Sequence, residues 1–230
     1  MQDSEARQAF DGTRQKLLSS AERLFAERGY TGVSVRDVAG MAGVNSALVA
    51  YYFGNKRGLL SAVYLRHCLP LNQERIHLLQ KYEATPGGAS LEQVLDAFLR
   101  PSLAVSPGND GHADYTRLRA ILSCENSELL NEVIAEHTGV AASAFLAAFS
   151  RCLPYLSSKE ILWRFHFLIG TLYHTGSHVS RMVVLSGGVC NPGDVEETLK
   201  QMIPFLAAGF RASAPESGTE APLAQKLQAV

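Results

Sequence analysis

The chain has 230 residues, 47% of them hydrophobic and 19% charged, with a formal net charge of −1. That composition buries a core and excludes a low-complexity or disordered chain, and the length suits one large domain or a small domain joined to a larger one. The cysteines Cys68, Cys124, Cys152 and Cys190 are dispersed and form no C-x-x-C pair, which argues against a disulfide framework and fits a reducing cytoplasm. The N-terminal MQDSEARQAF is too polar for a signal peptide, and the longest apolar run, around Val140–Phe149, falls short of the roughly 20 residues that span a bilayer. A soluble, cytoplasmic protein without a membrane partner is expected.

Period-two alternation is nearly absent and helical spacing runs through the chain, so the expected fold class is all-α. Residues 1–11 are expected to be a flexible arm. Leu17, Leu18, Ala21, Leu24 and Phe25 then form one apolar stripe, and Gly29 stops that helix. Ser34 caps a short helix over 35–42, broken by Gly43; Asn45 caps a third over 46–52 carrying Leu48 and Val49. After Gly54-Asn55, a helix from Lys56 to His67 carries Leu59, Leu60, Val63 and Tyr64, and Pro70 is expected to separate it from another over Leu71–Tyr82. Thr85-Pro86-Gly87-Gly88 breaks the chain before a helix from Ser90 toward Leu103. Further helices are expected near Asp114–Cys124, Ser127–Cys152, Ser158–Leu185 and 195–211. Ser157 and Asp194 carry capping-box spacing ahead of the last two, and Pro204 should kink the final one. The expected division is a small helical head over 12–56, a larger helical domain over 57–212, and a flexible tail over 213–230.

Residues 34–53, SVRDVAGMAGVNSALVAYYF, are the informative segment. Helices this short are marginal alone, so they must pack on a platform, and the 17–25 stripe supplies one. Two short helices around a glycine turn on a supporting helix form a helix-turn-helix, whose second helix can enter a major groove. The charge distribution agrees: residues 1–66 hold nine Lys/Arg against six Asp/Glu, while the rest is net acidic.

Phe25, Gly29-Tyr30, Ser34-Val35-Arg36-Asp37-Val38-Ala39, Ala42-Gly43-Val44, Tyr51, Phe53, Lys56 and Leu59-Leu60 resemble the TetR/AcrR family of transcription regulators. The resemblance implies an all-helical homodimer with a three-helix DNA-binding head, a divergent C-terminal domain for an inducer, and repression as the commoner mode. Asn45–Gly54 and Trp163–Phe167 also look like a subgroup with members that respond to fatty acyl or other lipid-like ligands.

The chemistry expected of each residue follows from its position. Tyr51, Tyr52 and Lys56 suit phosphate oxygens beside the helix start at Asn55-Lys56, with core packing the alternative for one tyrosine. Ser34 and Arg36 open the first motif helix and can hold the flanking strand, unless Arg36 is a solvated charge. Asn45 caps its helix and can touch phosphate. Ser46, Ala47 and Ala50 form the base-facing surface, which lacks any Arg, Asn or Gln beyond Asn45. Specificity should therefore come from methyl contacts to thymine, close backbone approach, Arg36 and DNA shape.

In the C-terminal domain, Arg119, Trp163, His166, Phe167, Tyr173 and His174 are the ligand-pocket candidates, with core packing as the plainer role of each. Arg119 and Arg164 could pair an acidic ligand headgroup, with neighbouring Asp and Glu as equally good partners. Gly170, Gly176, Ala207, Ala208 and Gly209 would permit close helix approach in a dimer or equally serve internal packing. A pseudo-palindromic double-stranded operator, a second copy of the chain and a small effector are the expected partners, with no cofactor. The alternatives are a metal sensor using His174 and His178, four apart on a helix, and a helical enzyme, for which only Cys124-Glu125 with His112 and His137 offers a nucleophile cluster. No G-x-G-x-x-G, P-loop or G-x-S-x-G motif favours catalysis.

Overall fold

The computed structural model describes residues 2–104, 118, 128–177 and 179–213, and among them it contains helices and no strand. In chain order the helices are α1 (Gln2–Arg28), α2 (Val35–Ala42), α3 (Ala47–Phe53), α4 (Lys56–Glu83), α5 (Leu91–Leu103), α6 (Glu128–Cys152), α7 (Ser158–Ser177), α8 (Val179–Leu185) and α9 (Val195–Arg211). The all-helical expectation therefore holds. The helix expected over Asp114–Cys124 lies outside the described residues except for Leu118, and so does the tail beyond Ser213.

The chain divides into two compact units, Met1–Pro70 with Ser106–His137 and Leu71–Val105 with Thr138–Val230. The first is built on α1. Leu17, Leu18, Ala21, Leu24 and Phe25 are all buried, and they pack with Val38 of α2, Val49 of α3 and Leu59, Leu60 and Val63 of α4. Buried Leu118 completes this core from a later part of the chain. The first turns of α4 thus belong to the head, whereas the sequence reading ended the head at residue 56, because their apolar stripe has its partners on α1. Buried Glu22 of α1 adds a polar tie: its carboxylate lies 2.7 Å from His67 Nε2 and 3.5 Å from Arg66.

The second unit packs α9 against α5 and α7. Its core joins Leu95, Phe98 and Leu99 of α5, Phe145 and Phe149 of α6, Phe165 and Leu168 of α7, and Leu206 and Phe210 of α9. Phe149 and Phe210 meet with ring centroids 4.6 Å apart. Asn131–Cys152 is by length and composition apolar enough to cross a membrane, a longer stretch than the Val140–Phe149 run; its Phe145 and Phe149 are core residues here.

Two boundaries differ from expectation. Residues 2–11, expected as an arm, continue α1. Helix α4 runs through Pro70 without ending, since apolar stripes packed on both sides of the proline outweigh its penalty of about 3 kcal/mol. The span expected as one helix over Ser158–Leu185 is helical on both sides of residue 178, which lies outside the described residues.

Candidate nucleic-acid interface

The start of α2 is fixed by a reciprocal cap. The Asp37 amide donates to Ser34 Oγ at 3.2 Å, while the Ser34 amide and hydroxyl donate to Asp37 Oδ2 at 2.7 and 2.6 Å. These bonds hold the Asp37 carboxyl below its ordinary range, with smaller pulls from Arg28 and Lys56. Ser34 therefore shapes the helix start, and its donors face Asp37 rather than outward. The S-x-x-D spacing of this cap is visible in the sequence.

Helix α2 ends at Gly43, which takes φ 68° and ψ 33°, a left-handed conformation that glycine adopts without strain. Val44 N–H reaches back to the Ala39 carbonyl at 3.0 Å. Asn45 then starts the next helix, its side-chain oxygen accepting from Ala47 N–H at 2.8 Å. The turn is thus closed at both ends by short-range bonds, and Val38 and Val49 press both helices onto α1.

On α3, Ala47, Ala50 and Tyr51 face solvent, and Tyr51 is 70% exposed. Ser46 is half-buried beside them, and Arg36 on α2 is exposed. Tyr52 is half-buried against the head core, edge-on to Tyr51 with centroids 5.2 Å apart. Of the two tyrosines, Tyr52 takes the packing role and Tyr51 the outward one. Lys56 is turned inward: its ammonium donates to the Tyr30 carbonyl at 2.5 Å and sits 4.1 Å from that ring's centroid. Burial pushes the Tyr30 phenol pKa up, opposed by Arg57. The lysine expected at phosphate is in this structure a brace between α4 and the end of α1.

Two features of the α3–α4 corner escaped the sequence reading. Asn55 caps α4 by accepting from Gly58 N–H at 2.9 Å, and a Cβ at Gly58 would sit 2.0 Å from the Phe53 carbonyl oxygen. Only glycine fits there. Arg14 of α1 also lies over the Phe53 ring, 5.5 Å from its centroid.

Most of the ligand-pocket candidates lie on α7. Arg119 lies outside the described residues. Trp163, His166, Phe167 and His174 are exposed on α7, the tryptophan 55% and the phenylalanine 59%. The inward face of α7 is instead Ile161, Phe165, Leu168 and Leu172, with Tyr173 partly buried beside it. Trp163 and Phe167 stack on the surface with centroids 5.8 Å apart. Arg164 is also engaged: it donates to the carbonyls of Phe210 at 3.1 Å and Ala212 at 2.8 Å, covering the C-terminal end of α9. Of the small residues, Ala207 is buried in the unit's own core, whereas Gly170, Ala208 and Gly209 are exposed.

Among the described residues no group of three or more His, Cys, Asp or Glu could hold a metal ion. His174 is exposed and His178 lies outside the described residues, so the metal-sensing alternative has no support. Cys124, Glu125 and His112 are likewise outside them. His137 lies 2.7 Å from the Ser61 hydroxyl, joining α6 to α4 within the first unit.

A family model described as "Bacterial regulatory proteins, tetR family" matches residues 17–63, and one described as "Tetracyclin repressor-like, C-terminal domain" matches residues 96–209. The chain is 33% identical over 90 residues to the transposon Tn10 TetC protein of Escherichia coli, covering 39% of this chain and 44% of that protein. It thus spans less than half the length of the curated relatives it matches. Its fold is similar to the fatty acid degradation regulator FadR from Bacillus halodurans, with a TM-score of 0.59 at 18% identity over 87% of this chain and 97% of the other. FadR from Bacillus subtilis, solved in complex with stearoyl-CoA, is similar at a TM-score of 0.55 and 17% identity over 82% and 96%.

Proposed function

Because the chain belongs to the tetR family of bacterial regulatory proteins, we propose that it is a ligand-responsive transcription regulator that binds double-stranded DNA through α2 and α3. One observation carries this reading: a stub of helix presenting Ala47, Ala50 and Tyr51 to solvent, rigidly mounted on α1 and α4 through Val38 and Val49. Such a helix fits a major groove about 12 Å wide. The alanine methyls suit thymine methyl groups, and Tyr51 and Arg36 suit phosphate oxygens at the edges of the groove. Ser34 and Asn45 serve through their caps, Ser46 and Tyr52 line the edge of the contact face, and Lys56 sets the corner. With no bidentate base reader on this face, DNA shape supplies much of the discrimination.

The reading extends to a homodimer on a pseudo-palindromic operator, with half-sites about 34–36 Å apart. Its support is large apolar side chains left exposed on two helices of the second unit, Trp163 and Phe167 on α7 and Phe205 on α9, the last 71% exposed, with the exposed small residues Gly170, Ala208 and Gly209 on the same helices. A small apolar or amphipathic effector would favour a different head separation, and α4, which begins in the head and continues through Pro70, is the lever. Repression in the cytoplasm is the mode this reading favours, and family membership supports a regulator rather than an enzyme.

Selection of genomic fragments on the full-length protein tests it. A recurrent palindromic site should emerge, and Ala50→Arg should shift or abolish its recognition while the protein's melting is unchanged. Failure to enrich any site, or a site preference indifferent to Ala50→Arg, would overturn it.

A further inference from the structure

At the corner between α4 and α5 in the second unit lies a cavity of about 600 Å3, within the range of roughly 300–1,000 Å3 typical of small-molecule sites. Leu91, Val94 and Leu153 supply apolar lining, and the Gly87–Ser90 loop supplies another wall. Half-buried Cys152 also lines it, its thiol pKa raised by burial and within electrostatic reach of Arg151, Glu92, Arg211 and Glu83.

The charges there are arranged loosely. Arg151 pairs with Glu83, and Arg211 pairs with Glu92 at 2.6 Å, with both guanidinium groups at least half exposed. Exposed pairs of this kind contribute little to stability, so a ligand can rearrange them at little cost. A guanidinium carries five N–H donors in a planar fork and can hold a second carboxylate beside the first. A carboxylate oxygen freed for an incoming cation would instead leave an arginine beside that cation. The 13-residue helix α5 also begins at this cavity and adds the positive end of its dipole. Its Ser90 and Gln93 amides are already capped, which leaves the arginines as the direct donors.

We propose that this cavity binds a small amphipathic carboxylic acid, its carboxylate held by Arg151 and Arg211 and its apolar body lying over Leu91, Val94 and Leu153. The site is separate from the exposed Trp163–Phe167 face and from the DNA-binding surface, and it does not depend on the function proposed above.

The rate at which iodoacetamide alkylates Cys152, located by peptide mass spectrometry on the full-length protein, reads occupancy without any DNA. The probes are 2-naphthoate, its neutral isostere 2-naphthamide and the cation 2-naphthylmethylammonium. Naphthoate should slow Cys152 saturably, leave exposed Cys190 unaffected, and protect at concentrations where amide and ammonium do not. Arg151→Gln with Arg211→Gln should weaken that protection about tenfold or more, as expected for losing charge-assisted hydrogen bonds. Ala89→Phe, at a residue lining the cavity, should abolish it. No slowing by naphthoate, equal slowing by all three probes, or protection that survives both folded variants would overturn the proposal. If a variant melts early, the comparison of the three probes on the unaltered protein decides alone.

Discussion

Two glycines on neighbouring helices separate backbone propensity from close approach. Gly40 lies within α2, and a methyl group added there would meet nothing within 4 Å, whereas a methyl at Gly58 would collide with the Phe53 carbonyl oxygen at 2.0 Å. Alanine is the better helix former by about 1 kcal/mol, so Gly40→Ala should stabilise the protein by up to that amount. Gly58→Ala should do the opposite, costing about 1–3 kcal/mol as the corner shifts to relieve the overlap. Denaturant titration of the two variants checks the signs, and a stabilised Gly58→Ala would refute the geometry of the α3–α4 corner. Asp37 makes a second residue-level test. Bonds from Ser34 hold its carboxyl below the ordinary value of 3.8, so the unfolded chain binds that proton more readily than the folded one. The stabilisation is therefore present above pH 3.8 and lost as pH falls through the lower folded value. Asp37→Ala should melt earlier than the unaltered protein at neutral pH, and the gap should close on acidification. A gap that stayed constant into acid would show that the carboxylate charge contributes nothing.

Among the elements, α2 and α3 were legible because what defines them is local: Ser34 and Asp37 one turn apart, a left-handed Gly43, and Asn45 two residues before the amide it caps. Helix α7 was harder for a reason inherent in its pattern. Ile161, Phe165, Leu168 and Leu172 are buried, while Trp163, Phe167, Gly170 and His174 repeat the same spacing two residues later and are exposed. At 100° per residue the two stripes lie on opposite sides of the helix, and periodicity alone cannot tell which one meets the core. The cavity beside Cys152 was illegible because its walls come from residues more than 50 positions apart in the chain. Pro70 shows the limit of local rules from the other side. Its ring favours ending the helix, yet buried Leu60, Val63 and Leu71 hold α4 together around it. Pro70→Ala should accordingly raise stability by about 1–3 kcal/mol, less than the full penalty if the helix has already bent to accommodate the ring. A destabilised variant would mean that the proline's fixed backbone geometry is needed for packing on either side.

For the molecule as a whole, a net charge of −1 would not draw the chain to a polyanion, whereas nine Lys/Arg against six Asp/Glu within residues 1–66 give the head a local excess of positive charge. On the proposed function, a single head with so small an excess and no bidentate base reader on α3 would bind weakly, and operator affinity would come from joining two heads. Linking two sites in one particle raises affinity by about 10²–10⁴ through effective concentration, without any new contact. The exposed Phe205 is one of the apolar side chains proposed to join the copies, and replacing it by aspartate places an unpaired charge where an apolar seam should close. Phe205→Asp should sediment as a monomer, melt near the unaltered protein because that side chain contributes little to its own core, and lose operator affinity by about 10²–10⁴. The logarithmic dependence of affinity on salt should also fall to about half its slope, since one head neutralises half as many phosphates. Those results belong together: a dimer that persists in Phe205→Asp would remove α9 from the interface, and a monomer that kept both affinity and slope would mean that one head alone accounts for binding.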